Sequence, residues 1–478
     1  MSLKQKAVSG VKWNVVSQVS CTVIHLLRLA VLTRLLDKSD FGLIAIAMMV
    51  ISFTEIFSEL GMTVGIIHKQ DITENQYSSV FWLNVMMSVL VFGIVWLISP
   101  LLASFYDEPI LTTIIPLLGI QILFNAFGKM FQTIKSKNLE FDFISKVRIF
   151  STFVGFVIAV VLAYIGLGIY SLVWAQIIQI GLNQSIYAIK GHGQMKIHLH
   201  FKVSEISEFI KIGTYRLGSQ ILDFISSKLD VFLIGRFFGM EDLGIYNIAK
   251  DLIIRPYTMV NSLVGGVGAA VFAKIQNQLE KVKVNFGKVV NLASFVCIPV
   301  YVAAFVFADA IVAIMYAKEF ASVALFIRIL AFMGIESSIS SQAGMLQVAF
   351  GRTDLGLKWT ILRVVISSVA IIIASKFDIY AVAYGQLLIS VVSLFLFWRI
   401  VVCPISRINI IEYIKMFSEP LAVAVSCAVP FLVLCLFVKN VFLQCVFACL
   451  YFALYAGYYW FARRSYTQSI VSMLIRKK

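Results

Sequence analysis

Two segments 202 positions apart carry the same polar stripe along an otherwise apolar run, and this limits the chain to a duplicated architecture. In the first, Asn14, Ser17, Gln18, Cys21, His25 and Arg28 fall at offsets 0, 3, 4, 7, 11 and 14. In the second, Arg216, Ser219, Gln220, Asp223, Ser227 and Asp230 occupy the same offsets. At about 100° per residue each set stays within an arc of about 100° on a helix. The match needs no gap and runs past the helix. Arg34, Asp40, Gly42 and Leu43 are answered by Arg236, Asp242, Gly244 and Ile245. The first helix of each half therefore presents hydrogen-bonding groups to something inside the molecule.

The background of these stripes is membrane-like. Hydrophobic residues make up 60% of the 478 and charged ones 14%, against about a quarter charged in soluble domains. No charged side chain occurs from Ile149 to Ile189 or from Asn75 to Tyr106. An apolar helix crosses a bilayer in about 20 residues. That rule predicts an all-α polytopic protein of about 14 transmembrane helices, at 11–33, 41–66, 78–103, 110–134, 148–166, 169–189, 208–235, 243–271, 288–315, 320–349, 356–375, 379–399, 417–438 and 441–462. Gly166-Leu167-Gly168 joins spans five and six as a tight helical hairpin.

Lys and Arg set the expected orientation. With the N-terminus inside, 26 of the 40 basic residues fall in cytoplasmic segments and 6 in outer loops. Both termini are then cytoplasmic, in a multi-pass membrane protein. The net charge of +15 is accounted for by loops facing anionic lipid, which argues against nucleic acid as a partner. The first apolar segment lacks the small-residue cleavage site of a signal peptide. The seven cysteines show no CxxC or Cys/His metal spacing and read as small core hydrophobes. No metal or cofactor is expected.

Six spans separate the two stripes, and an even number means that both copies enter from the same side. They read as parallel six-helix repeats with a central cavity between them. The expected division is 1–190 for the N-terminal lobe, 191–207 for a basic cytoplasmic linker, 208–402 for the C-terminal lobe and 403–478 for an extra helix pair with a basic tail. Spans thirteen and fourteen have no counterpart in the repeat. Being apolar all round, they are expected to face lipid or a lipid-like ligand.

A charge at the bilayer centre costs at least about 2.5–3.5 kcal/mol on insertion scales, so each one faces a cavity or a partner. Eight basic residues fall within spans: Arg28, Lys129, Arg216, Lys228, Lys250, Arg255, Arg328 and Arg363. The acidic candidates are Glu55, Glu59, Asp223, Asp230, Asp251, Asp309 and Glu336. Arg28 has two readings, binding an anionic headgroup or pairing with Asp223 or Asp230. His25 is either a proton-coupling group or a hydrogen-bonded cavity histidine. Glu55 and Glu59, one turn apart, either carry a coupling cation or make salt bridges. Asp251 and Arg255 have the spacing of a local ion pair, and Pro256 is expected to kink span eight beside them. Lys228 sits off the polar stripe of span seven.

Lys12-Trp13 with Ser17-Gln18, Arg34-Leu35-Leu36 with Asp40-Phe41-Gly42, and Phe105-Tyr106-Asp107-Glu108-Pro109 resemble the polysaccharide transporter (Wzx-type) branch of the multidrug/oligosaccharidyl-lipid/polysaccharide exporter superfamily. So do Arg236-Phe237-Phe238-Gly239 and Asp242-Leu243-Gly244-Ile245-Tyr246. The resemblance covers essentially the whole chain. It implies two six-helix lobes around a V-shaped cavity and a flippase for a polyprenyl-diphosphate-linked oligosaccharide repeat unit, not an enzyme. Arg28, Arg216 and Arg255 would meet the diphosphate, since Arg makes bidentate phosphate contacts. Asn14, Ser17, Gln18, His25, Ser219, Gln220 and Asn261 would line the cavity and meet sugars. Glu55, Glu59, Asp223, Asp230, Asp251 and Glu336 are candidates for ion coupling or gating, with H+ or Na+ as the coupling ion. Membrane lipids and polysaccharide polymerase or assembly proteins are the other expected partners.

Two alternatives remain at this stage. One is a cation-coupled multidrug exporter of the same superfamily, which usually has 12 spans and a more acidic cavity. The other is a membrane-embedded polysaccharide polymerase, although every outer loop here is under about a dozen residues. The chain has no GxxxxGK[S/T] phosphate loop for an ATP-driven pump.

Overall fold

A segment surrounded by hydrocarbon must close its backbone hydrogen bonds within itself, and a helix does so. The computed structural model describes residues 3–59, 66, 69, 71–192 and 197–462, and every regular element among them is helical. In chain order these are α1 (Leu3–Leu32), α2 (Lys38–Glu59), α3 (Glu74–Tyr106), α4 (Leu111–Lys137), α5 (Phe141–Tyr164), α6 (Ile169–His192), α7 (Val203–Phe238), α8 (Met240–Ile275) and α9 (Leu279–Val306). There follow α10 (Ala308–Met315), α11 (Val323–Ser340), α12 (Gly344–Ala349), α13 (Thr353–Ala374), α14 (Ile379–Phe397), α15 (Cys403–Ser406), α16 (Ile410–Phe437) and α17 (Val441–Ala462).

Eleven helical segments among the described residues are long and apolar enough to cross a membrane, and the chain is a multi-pass membrane protein. The spans expected at 169–189, 208–235 and 243–271 fall on α6, α7 and α8, which have the length but are not among the eleven. Two expected spans are interrupted. The ninth breaks at Phe307 between α9 and α10, and the tenth passes through a 3-10 turn at Ser341–Ala343 between α11 and α12.

The chain forms two compact units, Met1–Asn247 with Thr360–Ile379, and Ile248–Trp359 with Tyr380–Lys478. In the first, α1 packs on α5, α3 on α4, and α4 on α6, while α2 contacts α4 and α7. The turn between α5 and α6 is as short as the sequence implies. Gly166 and Gly168 take φ of +90° and +52°, a region that glycine enters without a Cβ penalty. The Gly166 and Leu167 amides return to the last carbonyls of α5, Ala163 at 3.0 Å and Leu162 at 3.1 Å.

At one edge of this unit the backbone of residues 198–202 is strapped to the start of α3. The His198 amide donates to Ser78 Oγ at 3.0 Å and the Lys202 amide to Ser79 Oγ at 3.1 Å. Trp82 Nε1 donates to the His198 carbonyl at 2.9 Å. Leu199 is 92% exposed on the far side.

In the second unit, α16 packs along α9, and α17 reaches α9 through tyrosines. The reason is a proline. Pro299 lies inside α9 and has no amide hydrogen, so the carbonyl four residues earlier, Phe295, loses its helical donor. Tyr455 of α17 supplies that donor at 3.2 Å, and Tyr451, one turn away, donates to the Pro299 carbonyl at 3.2 Å. Tyr459 continues the row and meets the Phe295 ring edge-on, with centroids 4.7 Å apart. The last helix is thus not uniformly apolar: one face carries buried Tyr451, Tyr455 and Tyr459, while Phe461 on another is 85% exposed.

Replacing Tyr455 by Phe leaves the Phe295 carbonyl without its donor, at a cost of about 1–3 kcal/mol. Thermal unfolding in detergent is expected to show Tyr455→Phe melting below wild type. Tyr458→Phe, on the exposed face, should melt with wild type.

Candidate functional site

In the first unit the stripe of α1 runs from exposed Asn14 through buried Ser17 to half-buried Gln18, His25 and Arg28. The Ser17 hydroxyl is buried with no hydrogen-bond partner. Cys21 Sγ lies 3.6 Å from Thr152 Oγ1 of α5, so part of the stripe turns toward its own bundle. On α7, Gln220 is half-buried, and Asp223 is exposed and hydrogen-bonded with Thr360. The side chains of Glu59, Arg216 and Ser219 lie outside the described residues.

Two carboxylates in this unit have built surroundings. Glu55 on α2 accepts from Asn125 Nδ2 of α4 at 3.0 Å, and Asn125 Oδ1 accepts from Gln184 Nε2 of α6 at 2.9 Å. The result is a relay of one acid and two amides across three helices. Asp230 on α7 is buried, with Oδ1 accepting the Val231 amide at 2.8 Å and Oδ2 accepting the Tyr246 hydroxyl at 2.6 Å. Tyr246, Asn125 and Gln184 were not among the candidates from sequence. Their signal was faint: no spacing in the sequence ties any of them to its acid.

The same unit holds an apolar groove of about 660 Å³ walled by α2, α3 and α7. Phe53, Phe57, Leu90, Ile94, Phe224 and Phe232 are among its lining, and Lys228 and Thr54 are its polar members. This is where the residue that departs from the α7 stripe goes.

Two of the motif segments quoted for the family resemblance, those of Phe105–Asp107 and Arg236, meet in this unit. Arg236 Nη1 pairs with Asp107 Oδ2 at 2.8 Å, and its guanidinium lies over the Phe105 ring at 5.4 Å. Phe105 stacks on Phe232 with centroids 5.3 Å apart, and Tyr106 donates to the Phe232 carbonyl at 3.3 Å. Burial, and then the neighbouring Asp107 charge, raises the Glu108 pKa above the ordinary carboxylate value.

In the second unit Asp251 and Arg255 form an ion pair within α8, with Nη2 at 2.6 Å and Nε at 3.2 Å from the same Oδ2. The side chains are 36% and 25% exposed, respectively. Pro256 stands next to this pair, inside a helix that continues through it. Here the Tyr301 hydroxyl of α9 enters the backbone ladder, accepting from the Tyr257 amide at 3.2 Å and donating to the Ile253 carbonyl at 2.9 Å. Those two groups would bond each other in an undisturbed helix. A side-chain hydroxyl in the ladder is a specific cause of bending. Gly334 of α11 makes room for the ring, since a Cβ there would press on Tyr301.

Glu336 on α11 is buried and accepts from Ser340 Oγ at 2.7 Å and Ser337 Oγ at 3.4 Å. Asn261 is half-buried. Asp309 and Arg328 pair at 2.6 Å, with Asp309 65% exposed. The described residues contain no cluster of three or more His, Cys, Asp or Glu that could hold a metal.

Comparison with known proteins bears on what such a framework is for. Residues 31–325 match the family described as "Polysaccharide biosynthesis protein". The lipopolysaccharide biosynthesis protein WzxC of Escherichia coli (strain K12) is 24% identical over 415 residues, 87% of this chain and 84% of that protein. The teichuronic acid biosynthesis protein TuaB of Bacillus subtilis (strain 168) is 26% identical over 424 residues, 88% of this chain and 87% of the relative. Among solved structures, the lipid II flippase MurJ in an inward closed conformation superposes with a TM-score of 0.72 at 14% identity, over 93% of this chain and 98% of that one. An inward-facing MATE family transporter of the MOP superfamily gives 0.59 at 12% identity, over 85% and 96%. These two likenesses establish the fold.

Tyr301 is expected to hold α8 at its bend. In Tyr301→Phe the Tyr257 amide loses its acceptor, and hydrogen–deuterium exchange should quicken about tenfold around Tyr257. Exchange in α3 should be unchanged.

Proposed function

Since the chain belongs to the polysaccharide biosynthesis protein family, we propose that it is a flippase moving a polyprenyl-diphosphate-linked oligosaccharide repeat unit across the bacterial inner membrane for surface polysaccharide synthesis. The observation that carries this reading is the near full-length similarity to two proteins of surface-polymer biosynthesis, WzxC and TuaB. The polar groups within apolar helices agree with it, because in a membrane they are costly unless a polar ligand or partner meets them. Enzyme chemistry is not needed for this task.

The cargo has three chemistries, and the chain offers a match for each. Its diphosphate calls for cations, and Arg28, Arg216 and Arg255 are our candidates. Arg255 is held by Asp251 at 2.6 Å, so an incoming phosphate would compete with a carboxylate for a guanidinium already oriented. Its sugars call for neutral donors and acceptors, for which we assign Asn14, Ser17, Gln18, His25, Ser219, Gln220 and Asn261. Its hydrocarbon calls for apolar surface. Glu55, Glu59, Asp223, Asp230, Asp251 and Glu336 are assigned to ion coupling or gating.

The two repeats would rock around the substrate in alternating access, with both termini in the cytoplasm. An inside-negative potential favours outward movement of an anion by about 2.3 kcal/mol per charge per 100 mV. A headgroup of about two negative charges thus gains about 4–5 kcal/mol per 100 mV, with H+ or Na+ countertransport as a further source. Polymerase and assembly proteins would receive the unit on the far side.

Deleting the gene in its host is expected to abolish a surface polymer while the lipid-linked unit accumulates on the cytoplasmic leaflet. Unchanged glycan with raised sensitivity to cationic drugs would instead indicate a multidrug exporter. Complementation with Arg255→Ala or Arg28→Ala, at wild-type membrane abundance, is expected to restore less than a tenth of the polymer. Full restoration by either variant would remove that arginine from the binding site.

A further inference from the structure

The apolar groove of the first unit is assigned nothing in the reading above, yet its length and its two ends are specific. Along α3 its lining runs from Met87 to Leu102, which at 1.5 Å per residue is about 22 Å. A bilayer is about 40–45 Å thick with its headgroups and about 30 Å in its hydrocarbon core. One leaflet is therefore about 20–22 Å deep, of which about 15 Å is acyl chain. The groove has the length of a single phospholipid. Leu90, Ile94 and Ile98 are exposed along it, so a chain can enter sideways from the bilayer.

The two ends differ in chemistry. Toward the start of α7, Phe53 meets both Phe57 and Phe224, with ring centroids 5.2 and 5.0 Å apart, and the groove ends in aromatic rings. Toward the end of α7, Phe232 stacks on Phe105, whose ring carries the Arg236 guanidinium at 5.4 Å. Lys228 lies on α7 one turn from Phe224 and one turn from Phe232, and it is the only charged residue among those lining the groove. Helix α7 ends at Phe238, about 15 Å beyond Lys228. A lysine in apolar surroundings extends its ammonium toward the nearer polar level, here the Arg236 end. We propose that the groove is a binding site for one anionic phospholipid. One of its acyl chains lies along α3 toward Met87, the other stays in the bilayer, and its phosphate meets Lys228. Bound there, the chain packs against α2, α3 and α7 together and ties them into one wall. A polyprenyl chain, longer than a leaflet is deep, gains no such fit from a groove closed at one end by rings. The lipid is thus a resident ligand and not the cargo.

The test uses the full-length protein, delipidated in detergent and titrated with phosphatidylglycerol or phosphatidylethanolamine of matched chains under native mass spectrometry. Wild type is expected to hold one phosphatidylglycerol at least fivefold more tightly than phosphatidylethanolamine. Lys228→Gln should bring the two affinities level by weakening only the anionic lipid. Ile94→Trp, which fills the groove, should weaken both at least fivefold. Leu436→Trp, on a face of α16 that is 72% accessible, is the control and should change neither. Equal affinity for the two lipids in wild type, or wild-type binding by Ile94→Trp, would overturn the proposal, leaving only the unspecific lipid that coats any membrane helix.

A second experiment needs no substitution. Phosphatidylglycerol with a photoreactive group at the end of one acyl chain is crosslinked to wild type in liposomes, and the modified peptides are mapped. Adducts are expected to concentrate at Phe53, Phe57 and Met87, and an equal concentration of polyprenyl phosphate should not displace them. Adducts spread evenly over α16 and α17 as well, or displacement by polyprenyl phosphate, also overturns the proposal, the latter by making the groove part of the cargo's path. Neither assay measures transport, so the lipid site can stand while the flippase reading fails, and the reverse.

Discussion

A polar group without a partner is expensive in hydrocarbon, and most of the specific geometry in this protein answers to that cost. It makes every described element a helix. It also bears on two of the helix prolines, each with a tyrosine hydroxyl from another helix beside it. Pro299 leaves the Phe295 carbonyl without a donor, and Tyr455 provides one from another helix. At Pro256 the ladder opens between Ile253 and Tyr257, and the Tyr301 hydroxyl bridges the gap. In both places a local defect becomes a tertiary contact. The helix that carries the proline is tied to the helix that repairs it.

The same cost governs the charges. Asp230 is held by Tyr246, Glu55 by the Asn125–Gln184 relay, Glu336 by two serines, and Arg255 by Asp251. These arrangements differ in what they allow. An ion pair within one helix is poised to exchange its partner for an anionic ligand. A carboxylate locked to a buried tyrosine is better suited to holding helices in register. The acid–amide relay links α2, α4 and α6, so a change of charge at Glu55 would be felt in all three. The proposed transport cycle draws on the first kind for substrate and on the others for coupling.

The polar stripes, the apolar runs and the 202-residue repeat are local or periodic, so they were legible in the chain. They led to the helical class, the glycine hairpin at 166–168 and the Asp251–Arg255 pair, whose spacing alone brings the side chains together. The partners of the other charges were not legible. Tyr246 is 16 residues from Asp230, Asn125 is 70 from Glu55, and Tyr455 is 160 from Phe295. No periodicity connects such positions.

By itself the sequence determined that this is a duplicated, helical membrane protein with hydrogen-bonding faces on the first helix of each half, because hydropathy and helical period are properties of neighbouring residues. Its motifs also marked out the segments around Gly42, Asp107, Arg236 and Gly244. Only the tertiary structure decided that these segments touch, and that the two glycines seat on each other's repeats. The reason is steric. A glycine in a sequence states that no side chain is present, and only the fold shows which backbone occupies the space.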